Sequence, residues 1–341
     1  METNVKESEI KEEREEVKEE SVKKCQDIEK QNGINGIMNT TDDVSLDGAS
    51  KGQQEPDGDT GDGSTAGITG GNETGLESRL ARMPVSREAM RYSQSHLKRG
   101  HCVIFNHRYF DHVTGLGERN GTDRDRDQVQ QLLKNLGFDV HVYNNLSVRE
   151  IKDTIQDYSQ EEHHSNCDMF AVVFMSHGEQ DVLWGRDAYF KADFLFDQFT
   201  ADRCKTLAGK PKLFFIQACR GDGLDSGVTL VRSQPSDETD SGYLAYKIPS
   251  TADFLICWST VSGHYSWRNT TNGSWFVQSL VHVLEREASH DDLLSIMTSV
   301  NRYMINNFES NCPSQHHMHG KKQAASIVST LMRKVYLGPK Y

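Results

Sequence analysis

The chain has 341 residues, a formal net charge of −12 and 9% aromatic residues. All of the net charge belongs to residues 1–78, which hold 20 acidic and 8 basic side chains, whereas the remaining residues hold 30 of each sign. A neutral body argues against a nucleic-acid-binding face, and no apolar run approaches the roughly 18 residues of a membrane span. Seven cysteines without a Cys-x-x-Cys spacing predict free thiols and a reducing, cytoplasmic location.

Residues 1–78 are predicted to form a disordered acidic prosegment. They contain no Phe, Trp or Tyr, so they cannot bury enough apolar surface to offset the loss of chain entropy. Glutamate and lysine interleave over residues 6–30, and Gly, Asp, Ser and Thr dominate residues 32–78, which is typical of a linker. A transient interaction helix within residues 6–30 is the alternative.

Strands and helices alternate in the rest of the chain. Strands are predicted at 103–106, 138–143, 170–175, 213–216, 254–258 and 326–337. Helices are predicted at 122–136, from a capping box at 147–150, around 194–204, and at 274–287 and 291–306. This alternation predicts a parallel sheet with helices on both faces. The loop over 221–250 interrupts it, and a loop of that length in a compact domain is generally functional.

Two of the predicted strands end in groups that can act together as a nucleophile and a base. The strand at 170–175 is followed by His177 and Gly178, and the strand at 213–216 by Cys219. Open α/β sheets carry their reactive groups at the carboxyl ends of strands. A thiol needs a neighbouring base to ionise at neutral pH, and His177 would supply it and later protonate a leaving amine. The backbone N–H groups of Gly178 and Cys219 are the candidate donors to an oxyanion.

Several ordered motifs resemble those of one protease family. They are Arg119–Asp125, Met175–Gly178, Gln217–Gly221, Tyr265–Asn269 and Gly273–Phe276. With these segments the chain resembles the caspases, and among them the precursors of executioner caspases. The resemblance implies a caspase-like sandwich with a central, mostly parallel six-stranded sheet and helices on both faces. It implies a cysteine endopeptidase that cleaves after aspartate without a cofactor or metal ion.

The same resemblance divides the chain and assigns substrate-binding residues. It implies a large-subunit region at 79–225, an inter-subunit linker at 226–250 and a small-subunit region at 251–341, assembled as a dimer of such units. Arg119, Arg268 and Gln217 match the residues that hold the substrate aspartate, and two guanidiniums around one carboxylate would make charge-assisted bonds. The remaining substrate-binding residues by this match are Tyr265, Ser266, Trp267, Asn269 and Trp275. The carbonyl of Gly117 is a candidate to orient His177.

Aspartates followed by small residues are candidate processing sites. Asp240 ends an Asp-Glu-Thr-Asp tetrapeptide in the linker, and it resembles the recognition sequence of the family itself. Asp225 is a second linker site, and Asp47 and Asp62 are candidate sites for release of the prosegment. Cleavage in the linker would free loops to complete the site, so the chain is predicted to be a zymogen.

The prosegment and the pocket residues distinguish among the remaining hypotheses. A prosegment without aromatic residues cannot be the six-helix adaptor-binding bundle of initiator caspases, so an executioner activated by upstream initiators and restrained by inhibitor-of-apoptosis proteins is predicted. A catalytically silent, caspase-like scaffold is the alternative, but such a protein would lack catalytic or pocket residues that are present here. The stretch Glu309–Met318 has no Phe, which leaves the outer-subsite preference open. Histidines near Cys312 occupy a single loop and are not interpreted as a metal site.

Overall fold

The structure, a computed structural model, describes residues 84–160, 164–227 and 249–339, and all of these belong to one compact unit. The predicted prosegment, Asp47, Asp62 and Asp240 lie outside the described residues. Among the described residues, no helix has both the length and the apolarity needed to cross a membrane.

The elements follow the predicted alternation. The strands are β1 (His101–Asn106), β2 (Asp139–Asn144), β3 (Phe170–Met175), β4 (Gly178–Glu179), β5 (Val182–Trp184), β6 (Tyr189–Lys191), β7 (Lys212–Gln217), β8 (Phe254–Trp258), β9 (Arg268–Asn269), β10 (Gly273–Ser274) and β11 (Ser326–Ser329). The helices are α1 (Thr122–Asn135), α2 (Val148–Tyr158), α3 (Phe194–Asp197), α4 (Trp275–Glu287) and α5 (Leu293–Asn307).

The six-stranded sheet has the order β11-β8-β7-β3-β1-β2. Neighbouring strands are parallel from β2 to β8, and only β11 runs antiparallel to its neighbour. Every residue of β3 and β7 is buried, as expected for strands with helices on both sides. Helices α1, α4 and α5 pack on one face, and α2 and α3 pack on the other. The predicted mostly parallel, six-stranded sandwich is therefore confirmed.

Local sequence signals place the helix ends. Ser147 and Glu150 form both halves of the predicted capping box at the start of α2. Gly121, rather than Thr122, occupies the N-cap of α1 with a φ of 87°. A Cβ at Gly121 would lie 2.8 Å from the carbonyl oxygens of Asn269 and Thr270, so only glycine permits this approach to β9.

Two predicted elements are shorter than expected. The helix predicted around 194–204 is only the four residues of α3, after which the chain turns, with Ala201 N–H donating to the carbonyl of Ser250. The strand predicted over 326–337 ends at Ser329, which pairs with Leu255 near the start of β8. One further backbone hydrogen bond joins the Thr330 N–H to the Phe254 carbonyl. The small sheets β4-β5-β6 and β9-β10 were not predicted, since strands of two or three residues leave no alternating pattern in the sequence.

Candidate active site

The sheet brings Cys219 and His177 to the same edge. In the parallel pair of β3 and β7, Met175 is in register with Gln217. His177 and Cys219 each follow by two residues, and Ser176 N–H donates to the Gln217 carbonyl at 3.1 Å, which continues the ladder past the strand ends. The predicted pairing of the two carboxyl ends therefore holds in the backbone geometry.

The carbonyl of Gly117 orients the His177 ring. Its oxygen lies 3.0 Å from His177 Nε2. Because a carbonyl only accepts hydrogen bonds, Nε2 must carry the proton, which leaves Nδ1 as the basic nitrogen. Burial, together with the smaller effect of the nearby Arg119 charge, lowers the pKa of His177 to about 3. The ring is thus neutral at physiological pH, the form a general base requires.

Gly178 lies where the chain segments that follow β3 and β7 come into close contact. A Cβ at this position would lie 2.8 Å from the Cys219 carbonyl oxygen and 2.9 Å from the Ala218 Cβ. The Trp184 N–H donates to the His177 carbonyl, so Gly178 and its partner Leu183 form a pair without ladder hydrogen bonds. The N–H of Gly178 therefore faces away from β5.

The Cys219 thiol faces the segment before β9. Its Sγ lies 3.5 Å from the backbone N of Ser266 and 3.9 Å from the carbonyl oxygen of that residue. The Cys219 thiol is partly exposed, whereas Cys102, Cys167, Cys204 and Cys257 are buried. Partial exposure is typical of a reactive cysteine, and full burial is typical of a structural one.

Arg119 is held deep in the site. Its side chain is 1% exposed, and Nη1 donates to the His107 carbonyl and to Thr122 Oγ1, both at 2.9 Å. Thr122 Oγ1 in turn donates to Asn106 Oδ1 at the end of β1. Arg268 reaches the same region from β9 and donates through Nε to the Asn120 carbonyl at 2.9 Å. The structure therefore supports both predicted arginines with backbone oxygens from the Arg119–Thr122 turn and its neighbour His107.

Asp125 is a residue of this region that was not among the predicted site residues. It is fully buried and accepts hydrogen bonds from the Ser274 N–H at 2.8 and 3.1 Å. Burial raises its pKa to about 6, against the opposing effects of the Ser274 hydrogen bonds and the charges of Arg268 and Arg119. Asp125 thus ties α1 to β10 and supplies a negative charge near both arginines. The only sequence signal for it is its place at the end of the Arg119–Asp125 motif.

Gln217 is hydrogen-bonded directly to Ser266, and Ser266 is also bonded to Gln323, a residue that sequence reasoning missed. Gln217 Nε2 donates to Ser266 Oγ at 2.7 Å, and its Oε1 is buried without a hydrogen-bond partner among the described residues. Gln323 Nε2 donates to Ser266 Oγ at 3.3 Å and to the Ser259 carbonyl at 2.7 Å, while its Oε1 accepts from Trp267 N–H. Gln323 therefore fixes the segment that carries Ser266, and nothing in its own sequence neighbourhood indicates this.

Comparison with known proteins gives this arrangement a family. The Caspase domain family matches residues 99–336. Caspase-1 of Spodoptera frugiperda is 46% identical over 281 residues, covering 82% of this chain and 92% of that protein. The chain belongs to the caspase family. Caspase drICE of Drosophila melanogaster is 44% identical over 254 residues, covering 74% of each chain. The crystal structure of the Spodoptera caspase-1 superposes with a TM-score of 0.71, covering 77% of this chain and 98% of that one.

The predictions of a caspase fold and of a cysteine-type endopeptidase of the apoptotic effector kind are confirmed by these relatives. Nothing favours the alternative of a silent scaffold. Membership in the caspase family also brings protein substrates and a dimeric assembly of large and small subunits.

The residues predicted for the outer caspase subsites are packed against one another. Trp267 and Trp275 stack with ring centroids 5.5 Å apart and 17° between their planes, and Trp275 also stacks on Phe308 at 5.6 Å. Both tryptophans are nearly buried, while Tyr265 is only partly so. Asn269 Oδ1 caps the β9–β10 turn by accepting from the N–H groups of Thr271 and Asn272. Phe308 is a further aromatic of this region, and it immediately precedes the stretch noted for lacking Phe.

The loop after Cys219 is held against neighbouring loops. Gly221 has a φ of 139°, and a Cβ on it would lie 2.6 Å from the Gly263 backbone, so the turn requires glycine. Farther on, exposed Asp225 pairs with Lys322 in an isolated antiparallel bridge, and its side chain accepts from Gly227 N–H at 2.8 Å. The predicted cleavage site at Asp225 is thus accessible but engaged in a turn, which a protease would have to open.

Proposed function

We propose that this caspase cleaves after aspartate by nucleophilic attack of Cys219, with His177 as base and acid. The hydrogen bond from His177 Nε2 to the Gly117 carbonyl is the observation that carries the assignment, because it selects the tautomer in which Nδ1 is the basic nitrogen. Among the cysteines that the structure describes, Cys219 is also the one that is both partly exposed and placed directly after a central strand.

The reaction follows from these groups. The Cys219 proton passes to the imidazole of His177, and the thiolate attacks the carbonyl carbon of the bond after the substrate aspartate. The negative oxygen of the tetrahedral adduct is stabilised by the backbone N–H groups of Gly178 and Cys219. His177 then gives its proton to the leaving amine, which departs and leaves a thioester. Water, deprotonated by His177, hydrolyses the thioester and restores the thiol.

Aspartate specificity is assigned to Arg119, Arg268 and Gln217. Two arginines held by backbone carbonyls lose little conformational freedom when they bind a carboxylate, and each bond is charge-assisted. Gln217 can turn its amide toward a ligand, since only its Nε2 is engaged and its Oε1 has no partner among the described residues. A neutral substrate side chain would leave the arginine charges uncompensated, which is how such a site rejects it.

We also assign a zymogen role to the linker. Cleavage after Asp240 is the proposed activating cut, with Asp225 as a second site and Asp47 and Asp62 as sites of prosegment release. Initiator caspases upstream, inhibitor-of-apoptosis proteins as restraints and a cytoplasmic location complete the proposal. The preferred substrates are Asp-Glu-x-Asp-like sequences in exposed loops, and the process served is apoptosis.

The test compares the full chain with its Cys219→Ala and Asp240→Ala variants on denaturing gels. The wild type should convert itself into large and small fragments, Cys219→Ala should remain intact, and Asp240→Ala should lose this cut while retaining its catalytic groups. Each protein is then assayed on an Asp-Glu-x-Asp peptide and on its Asn counterpart. A wild type that leaves both peptides intact, even after another protease has cut at Asp240, would contradict the proposal.

A further inference from the structure

A cluster of two histidines and an aspartate lies at the end of the sheet opposite to the active site. His101 begins β1, and Asp139 begins β2, the edge strand beside it. The parallel register places His101 opposite Asp139, and the two-residue period of a strand puts His141 on the same face as Asp139. Because catalytic groups follow the carboxyl ends of the strands, this cluster is separated from them by the length of β1, about 17 Å for its six residues.

The distances in this cluster suit a metal ion. His101 Nδ1 lies 3.3 Å from Asp139 Oδ2, and His141 Nε2 lies 3.3 Å from Asp139 Oδ1. The ligand atoms of all three residues lie within 4.8 Å of one another. Ligands bound tetrahedrally at the usual zinc distances are themselves roughly 3.3 Å apart. Rotation of the two imidazole rings is therefore enough to bring three ligand atoms around one ion.

The surroundings give the cluster one apolar wall and one open side. Tyr158 at the end of α2 packs against both imidazoles, with ring centroids 6.0 Å from His101 and 5.8 Å from His141. The side chains of Asp139 and His141 are 50% and 39% exposed, whereas that of His101 is 12% exposed. Solvent therefore reaches the carboxylate, and a water molecule has room to complete the coordination of an ion.

Hydrogen bonding does not account for the approach of His141 to Asp139. His141 Nε2 is buried at the atomic level and makes no hydrogen bond to any described residue, although the Asp139 carboxylate is close to it. The nitrogen and oxygen atoms thus approach one another without the alignment of an N–H donor toward an acceptor. Ligand atoms that surround one metal position are expected to be close together in this way, without pointing at one another.

We propose that His101, Asp139 and His141 bind a divalent transition-metal ion such as Zn²⁺, with water as the fourth ligand. Two imidazoles and one carboxylate match the ligand preference of zinc, whereas calcium and magnesium prefer sets made of oxygen ligands. The ion would clamp the edge strand β2 to β1. The ion would affect the stability of the fold. β1 ends at Asn106, which accepts a hydrogen bond from Thr122 Oγ1 and so supports Arg119, but neither Cys219 nor His177 follows this strand.

Zinc titration of the full-length Cys219→Ala protein tests this site. Removal of the thiol eliminates competing metal binding at the active site, and calorimetry with zinc chloride then reports the remaining sites. The parent should bind one ion that both Asp139→Asn and His141→Asn fail to bind. A matched control, His316→Asn with His319→Asn, changes two histidines in the other histidine-rich stretch and should retain the binding. Cobalt as a probe should give the visible absorption of a tetrahedral site in the parent and in the control only.

Thermal unfolding separates a structural clamp from incidental binding. At about a hundredfold excess of zinc over its Kd, the Tm of the parent should rise by about 5–10 °C, and that of the Asp139→Asn variant should not. Asp139 is half exposed and Asn has the same shape, so this variant tests the site even if His141→Asn does not fold. Equal zinc binding by the parent and Asp139→Asn, loss of binding in the His316/His319 control, or binding without a rise in Tm would each overturn the proposal.

Discussion

The close contact between Gly178 and the nucleophile turn makes Gly178→Ala the sharpest test of the active-site geometry. The new Cβ would lie 2.8 Å from the Cys219 carbonyl oxygen, 2.9 Å from Ala218 Cβ and 3.1 Å from the Val182 carbonyl oxygen. Two of these three atoms belong to backbone that side-chain rotation cannot move. Relief to an ordinary contact distance requires the ends of β3 and β7 to separate by about 0.5 Å, which displaces the proposed oxyanion donors from one another.

The expected cost follows from that displacement. Loss of one well-placed oxyanion donor lowers kcat by about 10²–10³-fold, and forcing a methyl group into a packed site destabilises a fold by about 1–3 kcal/mol. Because Gly178 is not among the residues with a positive φ, the effect is steric and not a matter of backbone strain. We therefore expect a large loss of kcat, a modest loss of stability and a small change in KM.

Activity per titrated active site separates the two effects. The active protein is quantified with a thiol-directed aspartyl inhibitor, kcat is measured on an aspartyl peptide, and unfolding is followed in urea. Gly338→Ala is the matched control, because its nearest contacts would be 3.5 Å or more and the substitution is the same. A Gly178→Ala enzyme whose kcat stays within threefold of the wild type would refute the assignment of this region to the oxyanion site.

Four further predictions concern the pocket, its buried acid, His177 and the tryptophan stack. Arg268→Gln should lower kcat/KM on aspartyl peptides by about 10²–10⁴-fold. It should leave the Tm nearly unchanged, since it removes a charge from a half-exposed side chain. Equal activity of the variant and the wild type on these peptides would contradict the role of Arg268. The Asp125 pKa of about 6 lies above its ordinary 3.8, so its stabilising contribution is present below about pH 4 and lost as pH rises through 6. In Asp125→Asn the free energy of unfolding, measured in urea from pH 4 to 8, should lack that fall, which is at most about 1.4 kcal/mol per pH unit. His177, with its pKa lowered to about 3, acts in the opposite direction, because its contribution is present above about pH 6.5 and lost as pH falls through 3; His177→Gln should remove that loss. Trp275→Ala should cost about 3–5 kcal/mol of stability, because it empties the space between Trp267 and Phe308; a loss below 1 kcal/mol would show that the stack is not part of the core.

The central sheet and the alignment of His177 with Cys219 at its edge were predictable because they depend on local patterns. Each central strand is an unbroken apolar run, and such runs pair as parallel buried strands whatever lies between them. The reactive residues follow two of these runs at equal offsets, so the register that aligns Met175 with Gln217 also aligns His177 with Cys219. The capping box of α2 was likewise readable, since helix ends are set by the few residues around them.

Contacts between distant residues were decided only by the tertiary structure. Asp125 meets Ser274 across 149 residues, and its raised pKa results from burial, which no local motif reports. The hydrogen bond from Gln323 to Ser266 is likewise a contact between residues that are distant in the sequence. The stacking of Trp267 on Trp275 was also decided by the tertiary structure, since the sequence predicts both as substrate-binding residues without indicating that their rings contact each other.

The cluster of His101, Asp139 and His141 shows the same limit from the other direction. Its residues are separated by a helix and a turn, and they meet only because β1 and β2 pair in register. Sequence reasoning looked for metal ligands in the histidine-rich stretch near Cys312, where histidines are close along the chain. Proximity in space depends on which strands become neighbours, and the sequence determines that order through the packing of the whole sheet and not through any one segment.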